Sequence, residues 1–339
     1  MSLTAPRLPA AAVIPSHGGI SNDKPAAIIT AAEALLAGLA RGQPLDAHGL
    51  RSAMESAFGG SDAGGFWNWK DAYEACEVAE LLFLRRFGPA MQNRAASPAA
   101  LLAMLEKLAA LLPTQTRRSE ESQALQQFST PIPLAFVASI AAGLTPEDVV
   151  LEPSAGTGLL AIFAEMAGAR LALNELAETR AGLLARLFSG ATVTRHDAVQ
   201  IDDHLDPVLR PSVILMNPPF SAMAHVEGRT GDTALRHMAS ALARLVEGGR
   251  LVAITGASQS PDNPAWRAHF SRMQQRGRIV FSGALDGAAY ARHGTQFDTR
   301  LTVIDRVAAA DPAPPPFLAP KSATVAELLD KLLHALPPR

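Results

Sequence analysis

The sequence predicts a doubly wound α/β sheet preceded by an α-helical N-terminal domain. Over 149–306, short apolar runs alternate with helical stretches, the pattern of strands wound by crossover helices. Over 25–112, apolar residues recur at i, i+3 and i+4 with no strand-like runs. The composition supplies a core for both units. Of 339 residues, 48% are hydrophobic and only 18% charged, which excludes a solvated disordered chain.

Residues 1–24 mix Pro, Gly, Ser and Ala without periodicity and read as a flexible leader. The helical domain, 25–115, places helices at Ala31–Leu39, Leu50–Phe58, Tyr73–Phe87 and Pro98–Leu112. Gly59–Gly65 breaks the second from the third, and Ser97-Pro98 is a helix start. The α/β domain, 116–307, opens on the polar stretch Thr116–Ser122, which suits a linker. Strands follow at Val149–Leu151, Arg170–Asn174, Thr192–His196, Ser212–Met216, Arg250–Thr255, Arg278–Ser282 and Arg300–Arg306. Helices Leu159–Ala167, Ala177–Phe188, Thr233–Leu245 and Ala265–Arg276 separate them. No clear helix divides the last two strands, so they are predicted to form an antiparallel edge pair. Residues 308–339 read as a Pro/Ala-rich linker and one amphipathic helix, Val325–Leu336, with the look of a chain that continues into something longer.

Several chemistries have no support. Cys76 is the single cysteine, so there is neither a disulfide framework nor a cysteine-rich zinc site. Nine histidines show no HxxxH or HExxH spacing, and no metal is expected. The apolar patch Ala10–Ile14 is too short for a secretory signal, and no long uncharged apolar window could span a membrane. The simplest expectation is a cytoplasmic protein with no membrane partner.

Three features fall at the C-terminal ends of predicted strands, where open α/β sheets bind ligands. The first is Glu152-Pro153-Ser154-Ala155-Gly156-Thr157-Gly158, an acid followed by a GxG turn into a helix. Glycines there let backbone approach a ligand closely. The third glycine of a dinucleotide fingerprint is missing, its place taken by Ala161, and a GxG alone can be a plain tight turn. The leading carboxylate suits a cationic or amine-bearing ligand. The second feature is Glu175, about 20 residues past the glycines and suited to both hydroxyls of a ribose; a helix N-cap carboxylate fits it equally well. Asp197, after the third strand, could accept from an exocyclic amine or simply cap a helix.

The third feature is Asn217-Pro218-Pro219-Phe220, directly after a buried strand. Two prolines fix the backbone and remove two donors, so the Pro218 carbonyl can point outward beside the Asn217 side-chain carbonyl. Two acceptors aimed at one point are what a planar NH2 group needs. Phe220 adds a face on which a base can stack.

These residues resemble the S-adenosylmethionine-dependent methyltransferases, and their amino-methylating DNA branch in particular. The Asn-Pro-Pro-Phe tetrad is similar to that family's catalytic motif, and Gln127-Phe128-Ser129-Thr130-Pro131 to the Phe-x-Thr-Pro element of adenine-specific enzymes, type I modification subunits included. The resemblance covers about 120–306. It implies a Rossmann-like methyltransferase sheet, S-adenosyl-L-methionine as cofactor, and methylation of adenine N6 in DNA. The catalytic residues it implies are Asn217, Pro218, Pro219 and Phe220. The cofactor residues are Phe128, Thr130, Pro131, Glu152, Pro153, Ser154, Ala155, Gly156, Gly158, Asn174, Glu175, Leu176, Asp197, Ala198 and Asn217. Thr130 and Glu152 would lie toward the methionine end, Glu175 on the ribose and Asp197 at the adenine. Residues 126–307 also resemble the methylase module at the front of bacterial proteins that carry a strawberry-notch-like helicase further along, which implies a helicase-like domain as partner. An RNA or protein-glutamine methyltransferase, or a non-catalytic module of this fold, are the competing readings. There is no room after the last strand for a separate target-recognition domain.

Methylation of this type needs no covalent enzyme intermediate. A buried adenine must be flipped to be reached. Cys76, in a helix far from these strand ends, suits a core thiol better than a nucleophile. The Trp67/Trp69 and Arg85/Arg86 pairs suit core packing and a helix end better than nucleic-acid contact, and Tyr290–Thr295 is placed by position near the target. The formal net charge of −2 is unevenly divided: 221–310 holds 11 basic residues, all arginines, against 7 acids. That excess suits phosphate but is modest, so weak or assisted DNA binding is expected.

Overall fold

The computed structural model describes residues 23–115, 129–219, 222–224, 228–307 and 316–339. The proposed leader and most of both linkers therefore lie outside the described residues.

Four helices open the chain: α1 (Lys24–Ala40), α2 (Ala47–Phe58), α3 (Trp69–Arg94) and α4 (Pro98–Ala109). Each begins where its sequence supplies a cap. Asp23, Asp46 and Ser97 accept backbone N–H groups at three of these starts. At the fourth, Asn68 and Asp71 form a reciprocal capping box. A fifth helix, α5 (Ile132–Ala142), ends at Gly143 in the left-handed conformation.

The sheet follows. Its strands are β1 (Val149–Glu152), β2 (Arg170–Asn174), β3 (Thr192–Thr194) and β4 (Val213–Met216), then a small hairpin β5 (Ala222–Ala224) and β6 (Gly228–Thr230). The series closes with β7 (Arg250–Gly256), β8 (Arg278–Leu285), β9 (Thr299–Asp305) and β10 (Leu318–Ser322). Between them run α6 (Ala161–Met166), α7 (Glu178–Leu187), α8 (Ile201–His204), α9 (Thr233–Arg244) and α10 (Arg267–Gln274), with α11 (Val325–Ala335) last. The main sheet has eight strands in the order β10-β8-β9-β7-β4-β1-β2-β3. β9 runs antiparallel to both neighbours, β7 and β8, while the other pairings are parallel.

The expected antiparallel pair is thus present, but it is not the edge. β10 adds outside β8, and the segment predicted as linker contributes this strand.

Side chains alternate across the sheet with period two, as strands covered on both faces require. Val213, Leu215, Val252 and Ile254 point into one core, and Ile214, Met216, Leu251 and Ala253 into the other. The second core is closed by Leu235, Met238 and Leu242 of α9 and Phe270 and Met273 of α10. The first core does not stop at the sheet. It runs without a break through α5, α6, α7 and α11 into Ile28, Leu50, Met54, Ala75, Leu81 and Leu102 of the helical unit. The helical unit and the sheet therefore share one apolar interior.

The terminal helix is not a loose appendage. Val325, Leu328, Leu329 and Leu332 are buried, and the tail beyond docks beneath the sheet. Arg250, fully buried at the start of β7, forks onto Asp305 at 2.6 and 2.9 Å and donates to the carbonyls of Ala141 and Pro337. Arg339 reaches Asp148 at 2.5 Å. These contacts lie at the foot of the sheet and leave the opposite ends of β1, β2 and β4 for the site. No helix among the described residues is long and apolar enough to cross a membrane.

Candidate active site

β4 is buried along all four residues and delivers Asn217 at its C-terminal end. The Asn217 amide nitrogen donates to Thr130 Oγ1 at 3.0 Å. Thr130 is buried, 6% exposed, and stands just before the Pro131 that starts α5. The two motifs, 87 residues apart, thus meet side chain to side chain. Tyr290, fully buried in a 3-10 turn (Gly287–His293) between β8 and β9, lies beside the same Asn217 side chain, but its hydroxyl has no hydrogen-bond partner among the described residues. Burial pushes this phenol up, and the neighbouring Asn217 offsets part of that rise. The Tyr290–Thr295 stretch therefore begins behind the Asn217 loop. Its His293 is driven down to about 4 by burial and by the neighbouring Arg292, so it is a neutral imidazole at physiological pH. Pro218 is buried and Pro219 half-buried. Phe128 and Phe220, expected to complete the two motifs, lie outside the described residues.

The turn after β1 packs tightly. Pro153 and Ala155 are buried, and the Ala155 N–H donates to Asn174 O at 2.9 Å. Gly156 and Gly158 have φ of +57° and +95°, conformations that side-chained residues rarely adopt. Their surroundings differ. A Cβ on Gly158 would lie 2.5 Å from the Phe188 ring, so this glycine is required by helix packing. A Cβ on Gly156 would meet only Arg180 Nη1, at 3.8 Å, so space stays open above that residue and beside the half-buried Ser154.

Glu152 closes β1 with its carboxyl buried and one oxygen, Oε2, without a partner among the described residues. Burial, then the nearby Glu175 carboxylate, raise its pKa well above the usual range, against a smaller opposing pull from the Ala161 N–H. An orphaned buried carboxyl oxygen at a strand end, beside a glycine turn, fits a ligand that brings N–H donors or positive charge.

Two expected ligand contacts are already engaged. Asn174 donates to the carbonyls of Pro153 and His196 and accepts from Thr194 Oγ1 and the His196 N–H, at 2.8–3.0 Å. That uses the two donors and two lone pairs of an amide. Asn174 thus ties the ends of β1, β2 and β3 together, and its side chain has no capacity left for a cofactor. Glu175 is buried, 7% exposed, and accepts from Gly156 N–H and Ala177 N–H, each at 2.8 Å. A carboxylate has lone pairs to spare beyond two bonds, so contact with a ribose is compatible with this geometry. Leu176 beside it is 51% exposed, an apolar surface at the mouth. Asp197 is exposed and caps the short helix at Ala198–Gln200 through Val199 N–H at 3.0 Å, while Ala198 is buried. Asp197 thus carries the capping role that the sequence equally allowed, whereas Glu175 binds the glycine turn and the Ala177 N–H without capping α7.

What the sequence reading missed comes from α3. Glu74, Glu77 and Glu80 recur every third residue and are each buried to 2% exposure or less. Thr157, inside the glycine turn, donates to Glu77 at 2.8 Å, and Arg180 of α7 donates to Glu74 at 2.7 Å. The available signal was the acid spacing on α3, which reads from sequence as a solvated helix face. The Trp67 indole is buried, as core packing requires, whereas Arg85 lies inside α3, which runs on to Arg94, and pairs with Glu165 at 2.8 Å instead of closing a helix end.

The arginine excess after the tetrad needs correction as a DNA-binding signal. Arg244 and Arg306 donate to backbone carbonyls, Arg250 pairs with Asp305, and Arg300 bonds Ala257 O and Ser282. Arg292 donates to Leu112 O. Arg244, Arg250, Arg300 and Arg306 thus hold the fold and are not available to phosphate. Arg236, Arg267, Arg272, Arg276, Arg278 and Arg292 remain exposed. Among the described residues no cluster of histidine, cysteine and acids could hold a metal.

No protein-family model matches the chain, and no curated protein matches it in sequence. Solved structures do. The chain is similar to a modification subunit assigned to a type I restriction enzyme from Vibrio vulnificus, at 13% identity and a TM-score of 0.50. That match covers 88% of this chain and 64% of the other. It is similar also to the type I restriction-modification system methyltransferase subunit from Streptococcus thermophilus, with 12% identity, TM-score 0.49, and 93% and 86% of the two chains covered. A protein from Listeria monocytogenes assigned as a class I S-adenosylmethionine-dependent methyltransferase matches with 14% identity, TM-score 0.47, and coverage of 91% and 97%. The strand order and the Vibrio likeness give the fold: a Rossmann-like methyltransferase sheet with a helical N-terminal region.

Proposed function

We propose that this chain is an S-adenosyl-L-methionine-dependent methyltransferase acting on the exocyclic N6 amine of a flipped adenine in DNA. The observation that carries the reading is Asn217, set at the end of β4 with its amide nitrogen committed to Thr130. That contact turns the side-chain carbonyl to the opposite side, where it can accept from a substrate amine beside the Pro218 carbonyl. When bound, the cofactor supplies an activated methyl group. Glu152, Gly156, Glu175 and Leu176 are the residues we assign to hold it: an orphaned acid, an open glycine, a hydroxyl acceptor and an apolar face.

The chain's own task is then orientation. Adenine's amine is a weak nucleophile because its lone pair is delocalised into the ring. Accepting both of its N–H bonds, at Asn217 Oδ1 and Pro218 O, favours a pyramidal nitrogen with an exposed lone pair. Burial of Thr130 and Tyr290 behind Asn217 keeps water from competing for the amide. The Phe-Ser-Thr-Pro element supports adenine in DNA over other amines, because its threonine is the residue that fixes Asn217. The few exposed arginines support weak DNA binding by this chain alone, so we place it as a module that acts beside a helicase-like domain.

Transfer of labelled methyl to DNA, RNA and protein, compared between the wild type and Asn217→Ala, tests the reading. Transfer to DNA that Asn217→Ala abolishes is expected. Transfer to RNA or to protein glutamine instead would replace the substrate. Cofactor binding with no transfer to any of the three would make the chain a non-catalytic module.

A further inference from the structure

We propose that α3 of the helical unit forms part of the cofactor site, with Glu77 and Glu74 as positioning residues for the glycine turn and for Glu175. This rests on the cofactor reading above.

The turn Pro153–Gly158 contains two residues in left-handed conformations, and Asn174 at the end of β2 holds its Pro153 and Ala155 backbone. Further support comes from outside the sheet. The buried Thr157 hydroxyl donates to Glu77 Oε2 at 2.8 Å, and Gln115 donates to the other Glu77 oxygen at 3.1 Å. At the next strand end, Glu175 holds the Gly156 N–H. Arg180 lies close enough to Glu175 to pull its carboxyl pKa down against burial. Arg180 is itself held by Glu74 at 2.7 Å, and Glu74 also meets Lys70 at 3.3 Å. Two lines thus run from α3 to the turn: a hydrogen bond from Thr157 to Glu77, and the Glu74–Arg180 pair, whose guanidinium stands beside Gly156.

Packing does not explain these acids. Ala72, Ala75, Val78 and Ala79 already give α3 an apolar buried surface. Buried carboxylates are costly unless partners meet them, and here the partners include Thr157 of the cofactor turn and Arg180 of α7, beside Gln115 and Lys70. The helical unit therefore shapes the cofactor site from below, and its acids set cofactor affinity and leave the transfer step alone.

The test uses the full chain and titration calorimetry with S-adenosylmethionine and, separately, its thioether product. Thr157→Val, which removes the hydroxyl at constant shape, is expected to weaken binding about tenfold, the worth of a hydrogen bond to a charged group. Thr157→Ser, which keeps the hydroxyl, regains most of the loss. Glu77→Leu gives a similar loss, and the double variant is no worse than either single one. The rate at saturating cofactor stays within about threefold of wild type, a split between affinity and turnover that general destabilisation does not produce. Should Thr157→Val or Glu77→Leu fail to fold, Glu77→Gln keeps an acceptor, removes the charge and is expected to weaken binding at least about threefold. Unchanged affinity in the folded variants, or additive losses in the double variant, overturns the inference. A wild type that binds neither ligand overturns the cofactor reading instead.

Discussion

Replacing Thr130 by valine isolates the contact on which the proposed chemistry depends. The side chain keeps its shape and its place, 6% exposed at the start of α5, and loses only the oxygen that accepts from Asn217 Nδ2 at 3.0 Å. An amide N–H left against a methyl group costs about 1–3 kcal/mol. At about 1.4 kcal/mol per decade, the transfer step should slow roughly 5- to 150-fold. The loss should fall on kcat, because the amide's orientation matters only when the amine is engaged, and cofactor affinity should change less than about threefold. Thr130→Ser should recover most of the rate. Single-turnover methyl transfer combined with cofactor calorimetry reads both quantities. A loss confined to cofactor affinity would return Thr130 to the cofactor role that the sequence suggested and refute the positioning argument.

Three other outcomes follow from the same structure. Glu80 is buried with neither carboxyl oxygen partnered among the described residues, and burial, then the Glu77 charge, raise its pKa well above the ordinary value. A raised folded-state value means its contribution is intact below the unfolded pKa of about 4.3 and is lost as pH rises toward the folded one, at about 1.4 kcal/mol per pH unit. Glu80→Gln should therefore raise the melting temperature at pH 8 and change it little at pH 4.5; a shift of equal size at both would contradict a neutral buried acid. Gly158→Ala should destabilise the fold by more than about 2 kcal/mol, from a left-handed backbone and a methyl forced against Phe188, whereas Gly156→Ala should cost only about 1–2 kcal/mol and instead weaken cofactor binding; chemical denaturation compares the two. Glu152 must ionise to meet a cation, so affinity for the sulfonium cofactor should rise with pH until its raised pKa is passed, and Glu152→Gln should flatten that profile.

Much of the site's placement is legible in sequence because topology puts it there. Parallel strands covered on both faces read as short apolar runs, and Glu152, Glu175 and Asn217 follow three of them directly. The commitments of those side chains are not legible, because their partners lie far along the chain. Glu77 and Thr157 are 80 residues apart, and Arg180 and Glu74 are 106 apart. A row of glutamates at helical spacing looks solvated until the sheet arrives to cover it. Helix α5 escapes the periodicity argument for the opposite reason: nearly every residue from Ile132 to Ala142 is buried, so it has no polar face. β10 is hidden by Pro320 and a Pro-rich approach, which an edge strand tolerates and a central one would not. The arginines after the tetrad suit phosphate by number alone, yet Arg250 is 2% exposed and forms an ion pair with Asp305 at the foot of the sheet.

The central claim is that Asn217 and Pro218 hold an adenine amine for methylation. Nucleoside mass spectrometry of DNA incubated with the chain and S-adenosylmethionine measures it directly. The account predicts N6-methyladenine with the wild type and none above background with Asn217→Ala, while both proteins bind cofactor equally within about threefold. N6-methyladenine formed at an undiminished rate by Asn217→Ala would contradict it.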